Sequence, residues 1–360
     1  MAAVNRPYFV TMAGGFAGFN NPGGRVFYVA ASGWTAQGTG LAASDSNSGD
    51  SPFAPFATIQ KGLDSCTAGR GDIVAVLPGV YTLTTPLTMT SADVTLCSAY
   101  PVGPRERGPV VLTAAAAYDN NFIQVDADNV KLIGLTFECG LTTVTANQEI
   151  VQINSTNTTT DIFGVHVVNC FFDHSLIAAT ASTTDTDLDC LRVGLDSNDR
   201  AFDTVVTGCV IKGCDQDPIS ISAGSTGARV ENCSIYDGVA SDLSRHGVSI
   251  LAVGACVKDC DISIGTSSDT SGGVNVGVAA AQARVFNNNI AARGADTCAI
   301  TVIATATVHS SGNWLTAVAA GNLTDYKTDN TTPSANADTG GIFAATPGAT
   351  ALTTPTVAGS

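Results

Sequence analysis

Charged residues are scarce in this sequence, since Asp, Glu, Lys and Arg together make up 13% of its 360 residues. About a quarter is usual for a globular domain. The scarcity argues against long amphipathic helices, because the exposed faces of such helices are mostly charged. Gly, Ala, Thr, Ser and Asn are abundant instead. With 44% hydrophobic residues to build a core, this composition is typical of a β-rich, turn-rich protein.

Basic residues are scarcer than acidic ones, with 16 Lys and Arg against 31 Asp and Glu, so the formal net charge is -15. The chain as a whole would repel a phosphate backbone, and we expect no nucleic-acid partner. No apolar run reaches the roughly 18 residues of a membrane span, and the first residues lack the basic and apolar regions of a signal peptide. We therefore expect no membrane partner and synthesis in the cytoplasm.

Cysteine is present, but its pattern lacks the features of a metal site. The 11 cysteines are an odd number, and they do not form the paired CxxC groups of structural zinc sites. Free, buried thiols are therefore the expected state. The motifs GxSxG and HExxH and the P-loop are also missing from the sequence. The sequence predicts no metal and no cofactor.

A short segment with a polar residue between two apolar ones recurs in the second half of the chain. Successive copies begin about 26 to 29 residues apart, a period typical of solenoid proteins. Their alternation indicates short strands that bury one face. The copies are LRV at 191–193, ISI at 219–221, VSI at 248–250, VNV at 274–276 and ITV at 300–302.

A second recurring segment, such as VTGCVI at 206–211, follows each copy of the first and carries Gly, Asn or Asp at its third position. These residues tolerate a left-handed backbone, so the third positions predict a bend between strands. A Cys at the fourth position of most copies predicts an internal stack of small, polarisable side chains. The stack comprises Cys170, Cys209, Cys233 and Cys260, and Asn288 continues it.

Two strand columns per repeat, with like residues in register, predict an all-β fold: a single-stranded right-handed parallel β-helix of roughly eight coils. Coils rise about 4.8 Å each, so we expect a rod about 40 Å long. A solenoid needs caps over its open strand edges. Because Phe56, Ile59 and Leu63 fall on one helix face, we expect a short N-terminal capping helix near residues 55–66.

Composition divides the chain into three regions. Residues 1–25 are glycine-rich and predict an arm or attachment segment. The β-helix is expected over residues 26–315. Residues 316–360 are rich in Thr, Ala, Gly and Pro. Three arrangements stay open for this last segment: crossing back over the rod, pairing in an oligomer, or mobility.

The segments YVAASG, DSNSGDSPFAPFATIQKGLDS and GDIVAVLPGVYTL resemble the opening module of the pectate-lyase-like superfamily of right-handed parallel β-helix proteins. In that module a short amphipathic helix plugs the first coil. With the repeats, the resemblance covers about residues 26–315, and it is greatest to phage virion and tailspike-type β-helix proteins. It implies the fold more than an activity, because the superfamily includes lyases, hydrolases, tailspikes and non-catalytic virion proteins.

Three polar residues, here called the trio, stand two positions before the first strand segment of successive coils: Asp189, Asp217 and His246. We expect them to stack about 5 Å apart along one corner of the rod. Such a group suits the acid–base chemistry of an inverting glycoside hydrolase. Corners also recruit Asp and His because these residues tolerate bends. The structural role is the expected one, with no catalytic residue, and catalysis by the trio is the alternative.

The trio is similar to the catalytic group of the polygalacturonase family, which implies two catalytic aspartates and a catalytic histidine. The sequence departs from that family at three places. Gln216 replaces the second member of an aspartate pair, Arg245 replaces a Gly, and Asn275-Val276-Gly277 replaces a basic Arg-x-Lys. The losses of one carboxylate and of the substrate-binding cations argue against that particular activity.

Two acidic stretches, DTDLD at 185–189 and DQD at 215–217, carry oxygen atoms of the kind that calcium prefers, as in a pectate lyase. A lyase also needs a basic residue as proton acceptor, and Arg192 and Arg245 are the only ones nearby. Solvated acidic loops are the favoured interpretation of both stretches.

Together these features favour a structural virion protein of a bacteriophage: a capsid decoration, a head fibre or a spike. We expect it in the virion, after synthesis in the host cytoplasm, with other capsid or tail proteins as partners of the N-terminal arm. A surface polysaccharide is a further expected partner, and an acidic surface suits neutral sugars better than anionic ones. Homotrimers are usual for spikes of this superfamily, and that state stays open. The alternative function is a polysaccharide depolymerase, either an inverting hydrolase or a lyase.

Overall fold

The computed structural model describes most of the chain between residues 23 and 317 and two short segments beyond it. The described residues are 23–34, 40–100, 102–115, 120–139, 149–154, 160–173, 189–195, 198–214, 217–236, 246–264, 272–277, 280, 282–292, 298–302, 306, 308–317, 326–328 and 342–343. The predicted arm at 1–25 and the segment at 316–360 therefore lie almost wholly outside them. Within the described part, no helix is long and apolar enough to cross a membrane.

The strands form three long sheets in which neighbouring strands run parallel. Sheet 1 has ten strands: Val26–Val29, Ile73–Val76, Thr95–Ser98, Lys131–Ile133, His166–Val168, Val205–Thr207, Arg229–Glu231, Cys256–Lys258, Ala283–Phe286 and Val308–Ser311. Sheet 2 has nine: Leu87–Met89, Ile123–Val125, Val151–Ile153, Leu191–Val193, Ile219–Ile221, His246–Ile250, Gly272–Val276, Cys298–Val302 and Tyr326–Thr328. Sheet 3 has ten: Gly79–Leu83, Val110–Ala114, Thr136–Glu138, Phe171–Asp173, Val210–Lys212, Ser234–Tyr236, Asp261–Ile264, Asn289–Ala292, Trp314–Ala317 and Ile342–Phe343. A further short pair joins Ile162–Phe163 to Ala201–Phe202.

Each coil visits the three sheets in the same order. The coil that begins at Leu191–Val193 in sheet 2 passes through Val205–Thr207 in sheet 1 and Val210–Lys212 in sheet 3. It then returns to sheet 2 at Ile219–Ile221, where Leu191 pairs with Ile219. Like residues of successive coils therefore lie side by side, and the predicted parallel β-helix is confirmed.

The coils differ from the prediction in number and in the strands that each contains. Three strands form a coil where the repeats predict two, because the bend at Gly208 divides the segment VTGCVI between sheets 1 and 3. Two of the sheets contain ten strands, which exceeds the predicted eight coils. The first coils lack the recurring segments, so a count of repeats omits them.

The predicted bend has the left-handed backbone that its residues favour. The φ angles are 51° at Asn169, 66° at Gly208, 52° at Asn232 and 55° at Asp259. Asn and Asp are among the few residues other than Gly that occupy this region readily. The bend column is therefore confirmed, and it sets the corner between sheets 1 and 3.

The residue after each bend points into the rod and forms the predicted internal stack. Cys170, Cys209, Cys233 and Cys260 are all buried. The structure describes the side chains of ten cysteines, and these are free thiols, as predicted. Burial is the largest cause of the raised pKa of Cys209, which keeps that thiol protonated and unreactive.

Cysteine and asparagine make equivalent contacts in this stack. The amide N–H of Cys233 donates to Sγ of Cys260 at 3.4 Å, and the amide N–H of Cys260 donates to Oδ1 of Asn288 at 3.0 Å. Each side chain also donates backwards, Cys260 to Val230 O at 3.7 Å and Asn288 to Val257 O at 3.0 Å. The stack therefore links each coil to the preceding one.

The first coil is covered by a helix that spans Ile59–Asp64, with Thr58 as N-cap. It is shorter than the segment near 55–66 that the sequence predicts. Its apolar face is buried, and the Gln60 side chain pairs with the backbone of Thr88 in the outermost strand of sheet 2. Thr88 N–H donates to Oε1 at 2.9 Å, and Nε2 donates to Thr88 O at 3.2 Å.

The segment 102–109, here called the strap, crosses the bend column along the rod. Asn169 Nδ2 donates to Val102 O at 3.0 Å, and the Arg105 amide N–H donates to Gly208 O at 2.8 Å. The Arg105 guanidinium forms an ion pair with Asp261. It also donates to the carbonyl oxygens of Asn232, Cys233 and Asp259 at 3.2, 3.3 and 3.2 Å. The strap thereby joins several coils through one side chain.

Candidate functional site

The trio belongs to a longer line of polar residues along the leading edge of sheet 2. Each member stands two residues before the apolar residue that pairs with its equivalents in neighbouring coils. We call this line the polar column, and it consists of Asn121, Glu149, Asp189, Asp217 and His246. The predicted stacking of the trio in successive coils therefore holds in the structure.

Members of the polar column bind the backbone of the next coil. The amide N–H of Asp217 donates to Oδ1 of Asp189 at 3.1 Å, and the amide N–H of His246 donates to Oδ1 of Asp217 at 3.0 Å. Asn121 makes the same contact, because its Oδ1 accepts from the amide N–H of Glu149 at 2.9 Å. The repeated pattern shows that these side chains satisfy backbone donors where a strand begins.

Asp217 and His246 are also joined through their side chains. Nδ1 of His246 lies 3.1 Å from Oδ1 of Asp217, and the two side chains are 15% and 16% exposed. A carboxylate at this distance fixes the orientation of an imidazole and can exchange a proton with it. This pair is the part of the trio with the geometry of an acid–base group.

Asp189 lies deeper, and the pKa of its carboxyl is shifted. Burial raises the pKa of its carboxyl well above the usual range, and the neighbouring Asp217 carboxylate raises it further. The guanidinium of Arg192 and the hydrogen bond from the Asp217 backbone act in the opposite direction. Asp189 therefore holds its proton to higher pH than an exposed aspartate does.

Glu149 is a buried member of the polar column that the sequence analysis did not single out. Its carboxylate is 3% exposed and lies 3.1 Å from Nη1 of Arg192, whose Nη2 donates to Leu195 O at 3.0 Å. The residue stands two positions before Val151, the same offset that identifies the trio. That offset was the available signal, because the strand Val151–Ile153 also places a polar residue between two apolar ones.

Several residues of the polygalacturonase and calcium interpretations lie outside the described residues: 185–188, Asp215, Gln216 and Arg245. Asn275 is described, and its Nδ2 lies 3.4 Å from Ser249 Oγ on the outer side of sheet 2. Within the described ranges, no group of three or more His, Cys, Asp and Glu side chains is arranged to hold a metal ion.

Inverting hydrolases place their two carboxyl groups about 6.5–9.5 Å apart to leave room for a water molecule. Neighbouring strands of a sheet lie about 4.8 Å apart, and Asp189 and Asp217 stand on neighbouring strands. One oxygen of each is already engaged by backbone N–H groups. The spacing and these contacts favour a structural role for the two carboxylates over water activation between them.

The register and parallel sheets make this chain a parallel β-helix protein, and solved structures of that fold are similar to it. Pectate lyase Pel9A is 12% identical with a TM-score of 0.48, over 84% of this chain and 78% of the lyase. The pectin methylesterase from Aspergillus niger is 16% identical with a TM-score of 0.48, over 85% and 94%. The enzymatically active domain of tailspike protein 2 from bacteriophage CBA120 is 11% identical with a TM-score of 0.45, over 76% and 43%.

These likenesses concern the fold alone, because identities are low. No protein-family model matches the chain. No curated protein sequence matches it significantly.

Proposed function

We propose that this chain is a structural protein of a bacteriophage particle, a capsid decoration, head fibre or spike, whose rigid β-helix binds surface glycans. The main support for a non-catalytic role is that the carboxylates of the polar column bind backbone N–H groups. In both Asp189 and Asp217, one carboxylate oxygen accepts a hydrogen bond from an amide N–H of the next coil. The chain thus uses for folding the carboxylates that a depolymerase would need for its substrate.

The rod itself supports a structural role. Ten strands are separated by nine spacings of about 4.8 Å each, so the stack is about 43 Å long. Internal hydrogen bonds of the Cys and Asn stack and the Arg105 strap hold the coils together. Each coil in such a stack is held in register by its neighbours, and an extended stack of this kind suits a spacer or fibre on a particle surface.

The attachment to a particle is proposed from composition. The glycine-rich residues 1–25 are assigned as the arm that holds other capsid or tail proteins. A homotrimer is the proposed assembly, as for spikes of similar fold. Analytical ultracentrifugation of the full chain, compared with a variant that lacks residues 1–25, tests the assembly. A trimer that survives loss of the arm supports assembly through the rod, and a monomeric full chain contradicts the trimer.

A polysaccharide depolymerase is the second candidate function, and one observation favours it. The side chains of Asp217 and His246 lie 3.1 Å apart, next to an aspartate whose pKa is raised by burial. A carboxyl of raised pKa beside a hydrogen-bonded carboxyl–imidazole pair is typical of acid–base sites. In this function the catalytic residues would be Asp189, Asp217 and His246.

A panel of bacterial capsular and plant polysaccharides separates the two functions. The full chain is incubated with each glycan, and new reducing ends and the absorbance of unsaturated sugars are measured. We expect binding to at least one glycan without cleavage. Cleavage that Asp217→Asn abolishes would overturn the non-catalytic assignment. Asp259→Asn is the matched control, because it makes the same change at a left-handed bend with φ of 55° on another corner.

A further inference from the structure

The outer face of sheet 1 carries a line of basic side chains that the sequence analysis did not single out. These residues alternate with buried core residues such as Leu132, Val167 and Val230, so they point away from the rod. They occupy one position in the strand register, which runs Lys131, His166, Val205, Arg229, Cys256, Arg284 and His309. We call the basic members of this line, together with Lys258 two residues after Cys256, the basic row.

The basic row is exceptional in a chain with a net charge of -15 and only 16 Lys and Arg. It holds four of those cations and two of the four histidines. Glu231 is the one acidic residue of the seven strands that carry the row, from Lys131–Ile133 to Val308–Ser311. Its Oε1 lies 3.4 Å from Nζ of Lys258 and 3.8 Å from Nη1 of Arg229. Within these seven strands, four cations and one carboxylate give a positive balance.

Three of the four cations of the row are accessible. The side chains of Arg229 and Lys258 are 48% and 40% exposed, and Arg284 and His309 are exposed as well. Towards the other end of the row His166 is half-buried. Burial lowers its pKa, and the charges of Lys131 and Arg229 lower it further, which agrees with a positive potential at this face.

Six strand spacings of about 4.8 Å separate the first and last residues of the row, so it is about 29 Å long and one side chain wide. A DNA duplex presents one charge per about 1.7 Å, far more than the row neutralises, and the remaining acidic surface would repel it. Single-stranded nucleic acid binds by stacking on aromatic rings. Phe286 is the one aromatic residue, histidines apart, in these seven strands. A slender polymer with widely spaced carboxylates fits the row better.

We propose that the outer face of sheet 1 binds an acidic, carboxylate-bearing polysaccharide that lies along the rod axis over the basic row. This inference rests on the proposed glycan-binding function and adds the face and the charge of the ligand. It also changes an expectation, because the net charge of the whole chain favours neutral sugars, whereas the local charge of sheet 1 favours anionic ones. The row lies on a different sheet from the polar column.

Binding of the full chain to polysialic acid, hyaluronan, neutral dextran and single-stranded DNA tests the proposal. The parent is compared with Arg229→Glu/Arg284→Glu and with the control Arg25→Glu/Lys61→Glu, which changes the net charge equally at the N-terminal end of the rod. We expect the parent to bind an acidic glycan, the row variant to lose at least about tenfold in affinity, and the control to change by less than about twofold. Higher salt should weaken parent binding.

Each other outcome overturns the proposal in a distinguishable way. Binding to dextran without binding to either acidic glycan leaves the glycan-binding function and refutes the basic row as its site. Equal losses in the row and control variants also refute the site, and binding to DNA alone identifies a different class of ligand. Failure to bind any glycan contradicts the proposed function as well. Arg229→Gln/Arg284→Gln, with circular dichroism, checks that a loss does not arise from unfolding.

Discussion

Asn288→Ala tests the internal stack directly. Asn288 is 1% exposed. Its Oδ1 accepts from the amide N–H of Cys260 at 3.0 Å, and its Nδ2 donates to Val257 O at 3.0 Å. Alanine removes both partners and leaves no side-chain atom that could replace them, so two buried backbone groups lose their hydrogen bonds.

A buried donor or acceptor without a partner costs about 1–3 kcal/mol. With two such groups, we expect Asn288→Ala to lower the free energy of unfolding by about 2–6 kcal/mol. Asn288→Cys should cost less than half as much, because Cys260 makes the same two contacts one coil earlier with its thiol. The order of stability should therefore be parent, then Cys, then Ala.

Urea unfolding of the full chain, followed by far-ultraviolet circular dichroism, measures these differences. The control is Asn289→Ala, since Asn289 is exposed and its side chain makes one long contact, 3.4 Å to Asp261. That change should stay within about 0.5 kcal/mol. Equal stability of Asn288→Ala and Asn289→Ala would refute the inward stack, and a Cys variant no better than the Ala variant would refute the equivalence of thiol and amide.

Three further changes probe other parts of the rod. Arg105→Ala removes three carbonyl contacts of the strap and should cost about 2–4 kcal/mol in thermal denaturation; an unchanged melting temperature would contradict the strap. Val248→Asp buries a charge at a position that is 0% exposed and should cost about 4 kcal/mol or more, measured by urea unfolding. Burial raises the pKa of Asp189 in the folded chain, so its protonation stabilises the fold at low pH and this stabilisation is lost as pH rises through the folded pKa. Asp189→Asn should therefore gain stability relative to the parent as the pH rises above about 4, the ordinary pKa of an aspartate, and a difference that stays constant with pH would contradict it.

The sequence predicts the coils well because two local signals repeat. Alternation in segments such as LRV and ISI marks strands, and a residue that tolerates positive φ marks the bend after them. Both signals depend only on residues that are neighbours in the sequence, so they can be recognised before the fold is known. The first coils escape this method, because strands such as Gly79–Leu83 lack the recurring pattern.

The contacts between residues far apart in the sequence could not be predicted in the same way. Arg105 and Asn232 are separated by 127 residues, and nothing near Arg105 in the sequence indicates its partners. The trio was predictable because its members share one offset from a strand. Its burial and its contacts with the backbone of the next coil depend on the spacing of the coils, which only the assembled rod defines.

The basic row shows why net charge is a poor guide to a solenoid's ligand. Six of its seven strands contribute one basic residue each, Val205–Thr207 contributes none, and Val205 and Cys256 interrupt the line, so no charge run appears in the sequence. The register then collects these cations on one face of an acidic chain. The polar column differs, because backbone N–H groups already occupy its carboxylates. The carboxylates of Asp189 and Asp217 are thus engaged inside the chain, whereas the side chains of Arg229 and Arg284 are exposed on sheet 1, which makes the basic row the better candidate for a charged ligand.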